Sequence, residues 1–193
     1  EILPFDTPVS EIRARAPRAI ILSGGPASVY EPKAPKCDPE IFSLGIPVLG
    51  ICYGTQLMAF ELGGQVTPGD HREYGRAELE VLDSSDILPD KKTMECWMSH
   101  GDLIESAPPG FRVTAKTPST PVAAMADTKR RLFGVQFHPE VVHTPDGMEV
   151  LRSFLYDQAG LEGLWNMASF VETSVQAIRE QVGSDKVICG VSG

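Results

Sequence analysis

The stretch Gly50-Ile51-Cys52-Tyr53-Gly54 constrains this chain more than any other. Before it, Val48, Leu49 and Ile51 form the short apolar run of a buried strand. After it, the run from Thr55 through Leu57, Met58 and Phe60 to Leu62 reads as a helix that Gly63-Gly64 stops. Cys52 therefore sits at a strand-to-helix joint. A glycine on either side permits a sharp turn that pushes the reactive atom out of the backbone, the thiol version of a nucleophile elbow. A thiol there lies at a helix N-terminus, where unpaired N–H groups and the helix dipole favour thiolate, so the position is expected to activate it. The same residues also fit a buried structural cysteine after a core strand.

Gln136-Phe137-His138-Pro139-Glu140 bears on that choice. It ends an apolar, strand-like segment, Leu132 to Phe137, and so places a histidine at a strand end with a carboxylate two residues on. An imidazole that moves a proton and a carboxylate that fixes its tautomer would complete a Cys52-His138-Glu140 triad, an activated nucleophile with an oriented base. A lone histidine at a strand end is otherwise a satisfied polar residue.

Together with Ile21-Leu22-Ser23-Gly24-Gly25-Pro26, these motifs resemble the class I (triad-type) glutamine amidotransferases. Met98-Ser99-His100-Gly101-Asp102, Arg72-Glu73-Tyr74-Gly75 and the run from Gln136 to Thr144 are similar to the amidotransferase domains of GMP synthetases, and the similarity extends through nearly all 193 residues. The expected fold is α/β: a doubly wound, mostly parallel central sheet with flanking helices and an additional antiparallel β-rich portion, the first strand of the family fold being absent. The resemblance implies that the amides of Gly25 and Tyr53 form an oxyanion hole, which is chemically sensible because acyl transfer needs fixed donors where charge develops. It also implies that Asp102 takes the α-ammonium group of glutamine, that the backbone near Ser99 and His100 takes the α-carboxylate, and that Gln56 meets the substrate.

The reaction so implied is hydrolysis of the glutamine side-chain amide through a Cys52 thioester, giving glutamate and ammonia without a cofactor. The ammonia would serve a synthetase (ATP pyrophosphatase) domain that uses ATP and Mg to aminate XMP to GMP. Val191-Ser192-Gly193 look like the opening of that domain's phosphate loop. The expected organisation is thus a glutaminase domain over 1–160, a connector and helix over 161–184, and the start of the synthetase domain over 185–193. L-Glutamine, the synthetase domain and a homodimer formed through the full enzyme are the expected partners. Two other readings use the same residues. One is a cysteine hydrolase of this fold acting on γ-glutamyl peptides, and the other is a non-catalytic interaction domain.

A formal charge of −9 with no basic run makes nucleic acid and anionic membranes poor partners. No apolar run approaches the ~20 residues of a membrane span. No charged n-region precedes an apolar stretch at the N-terminus, and a cytoplasmic location is expected. Cys37, Cys52, Cys96 and Cys189 form no C-x-x-C pair, and His71, His100, His138 and His143 form no H-E-x-x-H, so neither a metal site nor a disulfide framework is expected.

Elsewhere the pattern predicts a short helix after Thr7-Pro8, a continuous apolar strand at Ala19 to Leu22, and a short helix capped by Asp38. Half-exposed or buried strands are predicted at Tyr74–Val81, Thr93–Met98, Phe111–Lys116, Val122–Ala126 and Leu132–Phe137, with Met98 to Asp102 at a strand end. A helix is predicted from Asp146-Gly147 to about Gln158. A last helix is expected behind a Ser169/Glu172 capping box, with Val171, Val175, Ile178 and Val182 as its apolar stripe.

Overall fold

A continuous apolar run makes a strand most readily where both faces are covered, and the computed structural model buries Val48–Ile51 in this way but leaves the Ala19 to Leu22 run half-exposed, with Ile21 44% exposed. It describes residues 1–163, 167–188 and 190. These fall into two units, Glu1–Leu161 and Glu162–Gly193.

In the first unit, seven strands form one sheet: β1 (Ile20–Leu22), β2 (Val48–Ile51), β3 (Gln65–Val81), β4 (Thr93–Ser106), β5 (Arg112–Lys116), β6 (Ala124–Asp127) and β7 (Leu132–Val135). Their order is β1-β2-β7-β6-β5-β3-β4. β1, β2 and β7 run parallel, with Ile21 beside Leu49 and Leu49 beside Phe133. From β7 to β4 every pairing is antiparallel. The parallel part and the β-rich part are thus one continuous mixed sheet, joined where β7 meets β6. All residues of β2, β6 and β7 are buried. β1 closes one edge among the described residues, and beside it lies a cavity of about 760 Å³ lined by Leu3, Phe5, Ile12, Ile20 and Leu57.

β3 and β4 run longer than alternation predicts, so Met98 to Asp102 lie inside a strand rather than at its end. The extension is possible because the β3–β4 ladder shifts register between Pro68 and Glu73, where a proline is tolerated. Helix α1 spans Val9–Ala14 with Pro8 at its N-cap position and no side-chain cap; Thr7 Oγ1 instead donates to the Pro4 carbonyl at 2.8 Å. Asp38 does cap its turn, a 3₁₀ segment over Pro39–Ser43, accepting from the Glu40 N–H at 3.0 Å. Helix α2 (Tyr53–Glu61) is followed by Gly63 with φ of 88°. Helix α3 (Gly147–Arg152) continues as a π-helical turn over Ser153–Gln158. That turn buries Phe154 edge-on to Phe133, with centroids 6.1 Å apart.

The second unit contains helix α4 (Met167–Val182), which carries Val171, Val175 and Ile178 along one side and ends at Gly183 with φ of 57°. The Ser169 side chain, Leu164 to Asn166 of the connector, Cys189 and Val191-Ser192-Gly193 lie outside the described residues. Among those described, no helix is long and apolar enough to cross a membrane.

The joint between β2 and α2 is packed without slack. A Cβ on Gly50 would stand 2.7 Å from the Thr55 backbone, and one on Gly54 would stand 2.2 Å from the Leu22 carbonyl oxygen. Thr55 Oγ1 bridges the two strands beneath, 2.6 Å from the Gly50 carbonyl and 2.8 Å from that of Val135. Gly54→Ala is therefore expected to lower unfolding stability by about 3 kcal/mol or more, since backbone must move. Gly45→Ala meets nothing within 4 Å and bears only the strain of a φ of 76°, about 1 to 2 kcal/mol. Urea unfolding of the two variants beside the parent chain checks the difference.

Candidate active site

Cys52 occupies the turn with φ of 51° and ψ of −110°, a conformation L-residues rarely adopt and one that costs of order 1–3 kcal/mol. Its N–H donates to the Val135 carbonyl at 2.8 Å, so β7 grips the elbow from the side opposite β1. The sequence placed a strained turn here, and the backbone carries that strain on the cysteine itself.

β7 also delivers the histidine. His138 follows it by three residues, fixed by its N–H on the Trp97 carbonyl at 3.0 Å and by Thr144 Oγ1 donating to its own carbonyl at 2.6 Å. Its Nδ1 lies 2.7 Å from Glu140 Oε1, which makes Nδ1 the protonated nitrogen of the neutral ring and leaves Nε2 free to accept. Gly24 separates this ring from the thiol. A Cβ placed there would stand 3.1 Å from His138 Cε1 and 3.5 Å from Cys52 Cβ, so both side chains neighbour this glycine, and any larger residue would press on the imidazole. The adjacent Gly25 lies against Tyr53, whose ring its Cβ would meet at 3.6 Å.

Gly25, Cys52, Gln56, Ser99, His100 and Asp102 line one cavity of about 470 Å³. Six of the nine residues the sequence singled out for the triad, the oxyanion hole or glutamine line this cavity; Tyr53 adjoins Cys52 in the chain, His138 neighbours Gly24, and Glu140 is placed by its bond to His138. Their present contacts differ from the expected ones in two respects. Gln56 is buried and its Nε2 is held by the Asp102 carbonyl at 2.9 Å and by Gln136 Oε1 at 3.2 Å, so its amide is engaged within the protein. The Asp102 carboxylate accepts from Tyr30 Oη at 2.8 Å.

The thiol is not ionised by its position alone. Burial pushes Cys52 up to about 11, and Glu140 pushes the same way, against the Tyr53 N–H and the Gln136 amide that pull it down. Near neutral pH the free site holds a thiol, whose Sγ lies 3.6 Å from the Ser99 carbonyl that accepts from it. A base must therefore remove the proton, which is the work the His138–Glu140 pair is shaped for.

Three further residues belong to the site, and only two of them stand in recognisable motifs. Gln136 precedes His138 in its motif, and Glu73 is the acid of Arg72-Glu73-Tyr74-Gly75. Tyr30 lies in a loop with no local signal. Glu73 pairs across the ladder with His100. Its carboxylate accepts from Ser119 Oγ at 2.6 Å, Thr120 Oγ1 at 2.5 Å and Thr117 Oγ1 at 2.9 Å. His100 Nε2 stands 3.3 Å from Glu73 Oε2, near enough to pair but off the line of a hydrogen bond. His100 Nδ1 donates to the Asp102 carbonyl at 2.8 Å. The loop after β5, the middle of β3 and the cavity wall on β4 are thereby tied to one carboxylate.

A family model described as glutamine amidotransferase class-I matches residues 1–158. The chain is 53% identical over its whole length to the glutamine-hydrolyzing GMP synthase of Syntrophomonas wolfei and 57% identical to that of Parafrankia sp., of which it spans 38% and 36%. It therefore covers little more than a third of these relatives. Among solved structures it is similar, at 28% identity and a TM-score of 0.71, to a protein of Thermoplasma acidophilum assigned as part of a GMP synthase, over 91% of this chain and 84% of that one.

Glu73 gives the site a pH signature. Burial raises its pKa, but His100 and the hydroxyls of Ser119, Thr120 and Thr117 outweigh burial and bring it from 4.5 down to about 2. A depressed carboxyl stabilises the fold above its unfolded pKa and loses that contribution as pH falls through its folded one. Glu73→Gln is expected to cost about 2 to 3 kcal/mol near neutral pH, the gap from the parent shrinking between pH 4.5 and 2. Urea unfolding of both proteins across that range measures it.

Proposed function

The chain belongs to the class I glutamine amidotransferases, and we propose that it hydrolyses the side-chain amide of L-glutamine with Cys52 as nucleophile. One observation carries the reading: a strained cysteine lining a polar cavity shares Gly24 as a neighbour with a histidine whose Nδ1 is held by Glu140 at 2.7 Å.

Glutamine enters the cavity with its α-ammonium group toward Asp102, displacing the Tyr30 hydroxyl, and its α-carboxylate toward the backbone near Ser99 and His100. His138 Nε2 takes the proton from Cys52 Sγ, and the thiolate attacks the amide carbon. The carbonyl oxygen becomes an oxyanion held by the N–H groups of Gly25 and Tyr53. His138 returns its proton to the departing nitrogen, the C–N bond breaks, and ammonia leaves a γ-glutamyl thioester on Cys52. Water, deprotonated by His138, adds to the thioester carbon; the C–S bond then breaks and the proton returns to the thiolate. Glu140 keeps the imidazole oriented throughout. No step needs a metal or cofactor.

Ammonia is mostly protonated at neutral pH and is then a poor nucleophile, so a reaction that consumes it belongs beside this site. The relatives support a specific consumer, since they are GMP synthases more than twice as long as this chain. We assign the chain to the glutaminase portion of such an enzyme, delivering ammonia to a synthetase portion that uses ATP and Mg to aminate XMP to GMP.

Cys52→Ala is expected to abolish glutamate release from glutamine, and His138→Asn to slow it by about 10²- to 10⁴-fold. An enzyme assay with and without the synthetase portion checks both. Unchanged release in Cys52→Ala overturns the reading, and faster turnover of γ-glutamyl peptides than of glutamine reassigns the substrate. In the full-length enzyme, Cys52→Ala is expected to leave synthesis from added ammonia intact.

A further inference from the structure

Gln136 has no accessible surface, and an amide buried that deeply needs partners at both ends. Its Oε1 lies 3.2 Å from Gln56 Nε2, and its Nε2 lies 3.8 Å from Cys52 Sγ. The direction of this amide is fixed from its far side. The Asp102 carbonyl can only accept, so the Gln56 atom 2.9 Å from it must be the NH₂ group. The second hydrogen of that group needs an acceptor, which Gln136 Oε1 supplies, and Gln136 is left with its own NH₂ turned to the sulfur.

Cys52 Sγ thus has two polar neighbours of opposite character. The Ser99 carbonyl, 3.6 Å away, can accept from a thiol and offers nothing to a thiolate. The Gln136 amide can donate to a thiolate. Among the described residues, the charged and titratable groups around the sulfur and its cavity are His138 and Glu140 from the segment after β7, His100 and Asp102 from β4, Tyr74 from β3 and Tyr30 from its loop, while α2 presents the Tyr53 N–H. Glu140 opposes an anion on the sulfur.

We propose that Gln136 is a further catalytic residue, its side-chain N–H holding the Cys52 thiolate, and that Gln56 is a positioning residue that aims it. The proposal rests on Cys52 being the nucleophile. Its chemical use lies in the division of donors. Once the oxyanion forms, the Tyr53 N–H is committed to oxygen, and the sulfur keeps only the Gln136 amide as it is released from the thioester. Gln56 then acts on the sulfur through Gln136.

The test is the pH dependence of iodoacetamide alkylation at Cys52, followed by mass spectrometry of its peptide in the full chain, which requires no glutamine and no turnover. The pH midpoint reports ionisation independently of how easily the reagent enters. Gln136→Met is expected to raise that midpoint and to slow alkylation near neutral pH about tenfold, the effect of losing a hydrogen bond to a charged group. Gln136→Glu, which puts a carboxylate beside the sulfur, raises it further. Gln56→Met moves it the same way by less, and it decides the matter if the Gln136 variants do not fold. A folded Gln136→Met, or failing that Gln56→Met, with the parent's midpoint overturns the proposal. A shifted midpoint together with unaltered glutamate release in Cys52→Ala would overturn only the assignment of Cys52 as nucleophile.

Discussion

The backbone of Cys52 is held at a positive φ by contacts that leave no room for anything else. Gly54 passes beneath the Leu22 carbonyl, Gly50 lies against the first turn of α2, and β7 takes the Cys52 N–H through Val135. Gly50 against α2 is local, but the other two contacts come from β1 and from a strand more than 80 residues later, so the turn is held in full only when the parallel part of the sheet is assembled. That dependence couples fold to function: a strained nucleophile is stable only where the surrounding sheet over-determines it.

The two parts of the sheet have separate tasks. The parallel strands β1, β2 and β7 present Gly24, Cys52 and His138 at or just beyond their C-terminal ends, where ligands of open α/β sheets bind. The antiparallel strands β3 and β4 raise the opposite wall, with Ser99, His100 and Asp102, and Glu73 braces it from behind. A relay of amides crosses between them: the Asp102 carbonyl, Gln56 and Gln136 connect the wall of the cavity to the sulfur at its base. Burial makes this connection necessary, because the same seclusion that removes water from the thiol also disfavours its ionisation.

The sequence made the elbow, the histidine with its carboxylate, and most strands legible, because each carries a local steric or periodic rule. Cys52 between glycines and four-residue apolar runs such as Val48 to Ile51 need no tertiary context to be read. What stayed hidden depended on pairing across the chain. β4 continues through His100 and Asp102 because β3 lies beside it, and nothing in the polar run Ser99 to Asp102 announces a strand. Thr7 looked like a cap but turned back to Pro4. Tyr30 reaches Asp102 from a loop without periodicity, and the balance of burial against donors at Cys52 is invisible until the neighbours are in place. Helix-end activation alone predicts a thiolate, whereas desolvation restores the thiol.

The central claim is that Cys52 forms a covalent bond to the γ-carbonyl of glutamine. Acid quench of the chain during turnover, followed by mass spectrometry of the Cys52 peptide, measures that bond directly. The account predicts a peptide heavier by one γ-glutamyl group, absent when glutamine is omitted. Glutamate formation from a Cys52 peptide that stays unmodified at every quench time, with His138→Asn equally unmodified and fully active, would contradict it.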